Sequence, residues 1–285
     1  MPHAAAALDP KALESVLESS ALLLPPKPRL LQEIENLMRN PDFEVSHLAD
    51  SISRDPGVLA ALFKLCRSPA YSRGRAPTNA EQVLMLIGLT QTINLVRGIS
   101  IRQAAGGPGP QMERFWLRCE EIASIASQIA GERVAVCNVF PDQAYLAAMF
   151  HDCGVPLLTQ RFKDYWSTLN LDDESCWVDT GLENVRFNMS HATVGYWVAR
   201  NWGLPELIVQ SIRYHHEMPE DDTYGLRSTI GIVALATHIY LYNKGLPDPI
   251  WTMRSGEILE ELGIHASALD EYIDEINDRH VSLAV

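Results

Sequence analysis

From Arg29 onward, apolar residues recur at intervals of three and four in one segment after another. In RLLQEIENLMRN, Leu30, Ile34, Leu37 and Met38 fall on one stripe, the spacing of a helix with one buried face. DPKALESVLESSALLL, ahead of it, has the same spacing, with Asp9 and Pro10 placed to start a helix and PPKP to end it. Ser46 reads as the N-cap of HLADSISR, and Asp55–Pro56 as the start of the helix in DPGVLAALFKLC. Two helices follow, Asn79 to Ile87 and Thr90 to about Ala104, parted by Gly88.

Further on, QMERFWLRCEEIASIASQIAGE predicts a long helix. PDQAYLAAMFHDCGVPLLTQ predicts another, entered at Pro141–Asp142. LDDESCWVDTGLENVRFN is at best partly helical. SHATVGYWVARNWG should be capped by Ser190 and stopped by Gly203. PELIVQSIRYHH, LRSTIGIVALATHIYLYNKG and SGEILEELGIHASALDEYIDEINDRHVSL supply the remaining helices. No segment alternates with period two, so the expected fold class is all-α. GGPGP at 106–110 forbids regular structure and predicts two helical lobes, 1–108 and 109–285.

Composition changes this picture little, but charge narrows the function. With 23 Lys and Arg against 36 Asp and Glu, the 285-residue chain carries a formal charge of −13. So acidic a chain is a poor binder of nucleic acid or anionic membrane, which are held through Lys and Arg. Arg67, Arg73 and Arg75 form one small basic spot, read as a solvated loop or as a contact for a partner or a nucleotide phosphate. Five scattered cysteines without a CxxC pair point to reduced thiols and a cytoplasmic protein. No signal-peptide pattern stands at the start, and no apolar run is long enough for a membrane span.

The chemistry concentrates in YLAAMFHDCGVPLL. There His151 and Asp152 sit side by side at the end of an apolar run. Burying an imidazole and a carboxylate is costly unless a metal ion or a hydrogen-bond network satisfies them. His3, His47, His238, His265 and His280 read as surface or helix-end residues, Cys153 as packing, and Trp116, Trp197 and Trp202 as core.

LLPPKPRLL, ISRDPGVLAALFKLCRSPAY and NAEQVLMLIGLTQTINLV, followed by AAMFHDCGVPLL, SHATVGYWVARNWGLPELIVQSIRYHH and IVALATHIY, resemble the HDOD (HD-related output domain) family of bacterial signalling modules. The resemblance implies one helical module over about 22–245, with a helical extension to 285. It also relates the chain to HD phosphohydrolases, whose metal is held by an early His, the His-Asp pair and a late Asp. On that alignment the early His position carries Arg118 and the late Asp position Thr237, while His151, Asp152, His191, His215 and His216 match histidines and the aspartate of such sites. The Lys that commonly follows HD-x-G in active enzymes is missing.

Two readings of the centre follow. In one, the five matched residues hold a divalent metal. In the other no cofactor binds, and Arg118, on the inward stripe with Phe115 and Ile122, forms a salt bridge to Asp152. The expected function is a non-catalytic signal-transduction regulator or scaffold that acts on signalling proteins. The alternatives are a metal-dependent phosphohydrolase of nucleotides or cyclic dinucleotides, and a sensor holding a small ligand between the lobes.

Overall fold

The computed structural model describes residues 26–67, 76–106, 109–220, 223 and 225–282, and among them every regular element is helical. The helix read at 9–24, His3, Arg73, Arg75 and two residues of GGPGP lie outside the described residues.

The first helices are α1 (Arg29–Met38), α2 (Val45–Ser53), α3 (Pro56–Cys66), α4 (Ala80–Ile87) and α5 (Leu89–Ala105). Their boundaries follow local chemistry. The Asp55 carboxylate accepts the Val58 N–H at 3.0 Å, with Pro56 opening α3. The Asn79 side chain accepts the Gln82 N–H at 2.8 Å. Gly88 has φ of 92°, a left-handed conformation that lets the chain turn by 115° from α4 into α5. Two expectations are corrected here. Ser46 lies inside α2, which begins one residue earlier, and its hydroxyl bonds the Glu44 carboxylate instead of capping. Met38 faces solvent, and Leu31 takes its place on the buried face of α1 beside Leu30 and Ile34.

The chain continues through α6 (Pro110–Cys137), α7 (Pro141–Phe150), α8 (Gly154–Arg161), α9 (Tyr165–Thr168), α10 (Thr180–Phe187), α11 (His191–Asn201), α12 (Glu206–Tyr214), α13 (Leu226–Asn243), α14 (Pro249–Glu261), a 3₁₀ turn at Ala266–Ala268 and α15 (Leu269–Ser282). The long α6 is the spine, with α7 and α13 packed along it. α14 lies on α13, and α15 returns to α6. Among the described residues no single helix is long and apolar enough to cross a membrane.

The apolar pattern ran unbroken through residues 141–160, but the helix does not. It ends at Phe150, and His151, Asp152 and Cys153 form a turn before α8. Pro156 has no N–H to give the Asp152 carbonyl, so the helix cannot run on, and Gly154 fixes where α8 goes next. A Cβ there would lie 2.0 Å from the His191 carbonyl oxygen, so α8 and α11 touch backbone to backbone. Gly98 of α5 has the same role elsewhere: a Cβ would lie 2.2 Å from the Phe150 ring, so α5 is pressed against the end of α7. These two contacts fix the turn on both sides.

Gly154→Ala is therefore expected to lower unfolding stability by about 3 kcal/mol, the upper range for overpacking. Gly131→Ala, on the exposed side of α6 with its nearest neighbour 3.7 Å away, should instead gain up to about 1 kcal/mol. Urea unfolding of both variants checks the contrast.

Candidate metal centre

Three segments bring the polar residues together. The α7–α8 turn carries His151 and Asp152. His191 opens α11, directly after Ser190, whose hydroxyl caps the helix by accepting the Thr193 N–H. His215 and His216 follow the last residue of α12. His151, Asp152 and His191 are buried, and His215 and His216 are partly so.

The outer ring nitrogens of three histidines are already committed. His151 Nδ1 stands 2.6 Å from the Ala148 carbonyl and His215 Nδ1 2.8 Å from that of Ile212. A carbonyl only accepts, so both Nδ1 atoms carry protons. His191 Nδ1 lies 2.7 Å from Glu183 Oε2, which also accepts the His191 backbone N–H at 3.1 Å. Glu183 is fully buried, and its other oxygen accepts the Tyr165 hydroxyl.

With Nδ1 protonated, a neutral imidazole offers a lone pair at Nε2, and the Nε2 atoms converge. His191 Nε2 is 3.2 Å from His215 Nε2 and 2.9 Å from His216 Nε2. His191 and His215 each stand 3.2 Å from Asp152 Oδ1, and His151 Nε2 is 3.0 Å from Oδ2. Donor atoms of Asp152, His191, His215 and His216 all lie within 4.8 Å of one another. Asp152 Oδ1 is buried yet accepts no well-formed hydrogen bond.

Converging lone pairs repel unless a cation sits among them. A proton on His191 is one such cation. Burial pushes its imidazole down, but Glu183 and Asp152 raise it to about 10. Burial pushes His215 down to about 4 and His216 well below the usual imidazole range, so these two stay neutral, and His215, protonated at Nδ1, keeps its Nε2 lone pair. Burial also pushes the Asp152 carboxyl up, but the imidazoles packed around it, His151 first and then His191 and His215, hold it well below the usual range. The other fitting cation is a divalent metal. Three imidazole nitrogens and a carboxylate suit a first-row ion, and Glu183 behind His191 is the outer partner that fixes a ligating imidazole. The residues present fit such an ion.

Arg118 does face inward, but the expected salt bridge to Asp152 does not form. Its guanidinium lies 3.2 Å from the centre of the Trp177 ring and 5.1 Å from that of Tyr240. Trp177 stands between them in effect: its indole N–H donates to Asp152 Oδ2 at 2.8 Å. The cation thus meets the carboxylate through an aromatic ring. Thr237 turns its hydroxyl back to the Val233 carbonyl at 2.9 Å. His238 is not a surface residue: it stacks on Trp251 with ring centres 4.1 Å apart and pairs with Asp248 at 3.2 Å. His47 and His265 are exposed, as expected. Cys119 and Cys153 are buried, and burial pushes both thiols up, which makes them inert packing groups.

Sequence reasoning missed Trp177, Glu183, Asp248 and Trp251. The last two belong to the roof. With Trp177, Thr237 and the histidines they enclose a cavity of about 60 Å³ over the centre.

A family profile described as the HDOD domain matches residues 24–218, and the chain belongs to that family. Its fold is shared by an HDOD domain protein of unknown function from Geobacter sulfurreducens, at 24% identity and TM-score 0.64, over 95% of this chain and 96% of that one. A candidate signal transduction protein from Marinobacter aquaeolei superposes with TM-score 0.67 at 21% identity, over 98% of this chain and 66% of its own. A candidate phosphohydrolase from Shewanella amazonensis gives 0.65 at 18%, over 95% and 96%. An uncharacterised protein of Treponema pallidum is 22% identical over 200 residues, 69% of this chain, and the match spans 38% of that relative's length.

Metal-free protein should lose stability as pH rises. The His191 imidazolium is held by two carboxylates in the folded state, at about 10, against about 6.5 in an unfolded chain. Its contribution is complete below the lower value and is lost on the way to the upper one. Melting temperatures of chelator-treated protein across that range should fall. In Glu183→Gln, which loses the anionic Nδ1 partner, the slope should flatten.

Proposed function

We propose that the chain is a signalling regulator that acts by contact with a partner protein, and that its histidine centre holds one divalent metal ion without turning over a substrate. The observation that carries this reading is a complete donor set beneath a small, aromatic-lined cavity. His191, His215, His216 and Asp152 supply the four positions of a closed site, whereas catalytic sites keep one open. The space above them is about 60 Å³, against roughly 300–1,000 Å³ for pockets that take small-molecule substrates. Trp177 and Trp251 take up part of that space, and Arg118 is spent on the Trp177 ring.

A bound ion would neutralise Asp152 and pull three segments onto one point. The residues themselves then do the rest. Glu183 fixes the tautomer of His191, the Ala148 and Ile212 carbonyls fix those of His151 and His215, and Trp177 orients the carboxylate. The result is a rigid C-terminal half that can present a constant surface to a partner. The structural relative from Marinobacter aquaeolei, described as a candidate signal transduction protein, supports this role.

Elemental analysis and a phosphodiesterase assay test both halves of the reading. Purified protein is expected to hold about one first-row metal per chain, lost in His191→Ala. It is expected to hydrolyse neither cyclic dinucleotides nor generic phosphodiesters, with or without added Mn²⁺ or Fe²⁺. Turnover that disappears in His151→Ala overturns the non-catalytic reading.

A further inference from the structure

A second cavity lies on the other side of Phe150. It opens between α3, α5, α6 and α7 and encloses about 750 Å³, inside the range of small-molecule pockets. Its wall is apolar, formed by Ala61, Leu65, Ile99, Leu146, Met149 and Phe150. Its polar groups carry an excess of one sign. Lys64, Arg67 and Arg102 line it against a single carboxylate, Glu120, which leaves 3 − 1 = +2 in a chain whose overall charge is −13.

Two polar groups here are incompletely satisfied. Trp116 is 3% exposed, and its indole N–H has no hydrogen-bond partner. Glu120 binds Lys64 at 2.5 Å through one oxygen, while its other oxygen is buried, lies 3.6 Å from Arg102 and accepts no hydrogen bond. Arg102 therefore holds its carboxylate at the long end of an ion pair and remains half exposed, with its guanidinium 5.8 Å from the centre of the Trp116 ring. The Trp116 N–H is a buried donor without a partner, which is uncommon and calls for a ligand or a water, whereas the Glu120 oxygen is an acceptor. A strong anion could take the remaining hydrogens of Arg102 and Lys64, beside the one carboxylate they share, in charge-assisted hydrogen bonds.

We propose that this cleft binds a small amphiphilic anion, with an acyl or aromatic body against the Ala61–Phe150 wall and one carboxylate or sulfonate head at Lys64, Arg67 and Arg102. The largely apolar wall of Leu65, Ile99 and Met149 suits an acyl or aromatic body better than a polar sugar. The cleft shares no lining residue with the metal centre, although its floor residue Phe150 immediately precedes His151. Ligand binding here rests on the cleft alone. Its failure shows in a titration, and failure of the regulator reading shows in metal content and turnover.

The test titrates the full chain with 8-anilinonaphthalene-1-sulfonate and displaces the dye with decanoate, using decanol and decyltrimethylammonium as controls of equal chain length. Decanoate should bind at least about tenfold more tightly than either control, the scale of one charge-assisted hydrogen bond. Ala61→Trp fills the cleft from a half-buried position and should weaken decanoate by about tenfold or more without changing metal content. Arg102→Glu, at a half-exposed position, should erase the preference of decanoate over decanol. The proposal is overturned by equal binding of decanoate and decanol to the native chain, or by unchanged decanoate affinity in both variants. It is also overturned if decanoate binds only after residues 1–25 are deleted, which would make the cleft the seat of the chain's own N-terminal segment.

Discussion

The commitment of Nδ1 atoms governs the centre of this molecule. Two backbone carbonyls and one buried glutamate take the outer protons of His151, His215 and His191. What remains is a set of Nε2 lone pairs pointed at one another and at an ionised aspartate. His216, whose outer nitrogen has no such partner, can turn one Nε2–H toward His191 at 2.9 Å, but the remaining lone pairs still face Asp152, and a cation completes the set. A proton on His191 is the smaller solution and a divalent metal the fuller one, since it engages three imidazoles and the carboxylate together. The Gly154 contact, the Ser190 cap and the end of α12 all exist in the positions that bring these atoms together.

The same constraint explains the surroundings. Asp152 is fully buried, and an arginine beside it would be a direct answer to its charge. The structure uses a different one. Trp177 donates to the carboxylate with its edge and receives Arg118 on its face, so a single indole links the anion to the cation without collapsing them into an ion pair. That leaves an oxygen of Asp152 free toward the histidines. α14 closes the roof, its first turn capped by Asp248 through the Trp251 N–H at 2.9 Å.

Much of the fold was legible because its punctuation is local. Asp55–Pro56, Asn79, Gly88 and Ser190 act within four residues of themselves, and each ends or starts a helix where the sequence placed it. The break at 151–153 was announced by Pro156, but the approach of Gly154 to His191, which seats α8 on α11, lies far along the chain and was not legible. The site divides in the same way. His151, Asp152, His191, His215 and His216 were marked by their resemblance to a known pattern. Glu183 and Trp177 sit in a segment of weak periodicity, and nothing near them in sequence announces the partners they meet. Arg118 was placed on the correct face, but a guanidinium accepts a carboxylate or an aromatic ring equally well, and spacing on one helix cannot choose between them.

Anomalous diffraction from crystals of the full chain grown with Co²⁺ tests the central claim most directly. The account predicts a single strong peak within bonding distance of the Nε2 atoms of His191, His215 and His216 and of the Asp152 carboxylate, beneath Trp177 and Trp251. No peak at that point, with the Nε2 atoms still converged around Asp152, would contradict it.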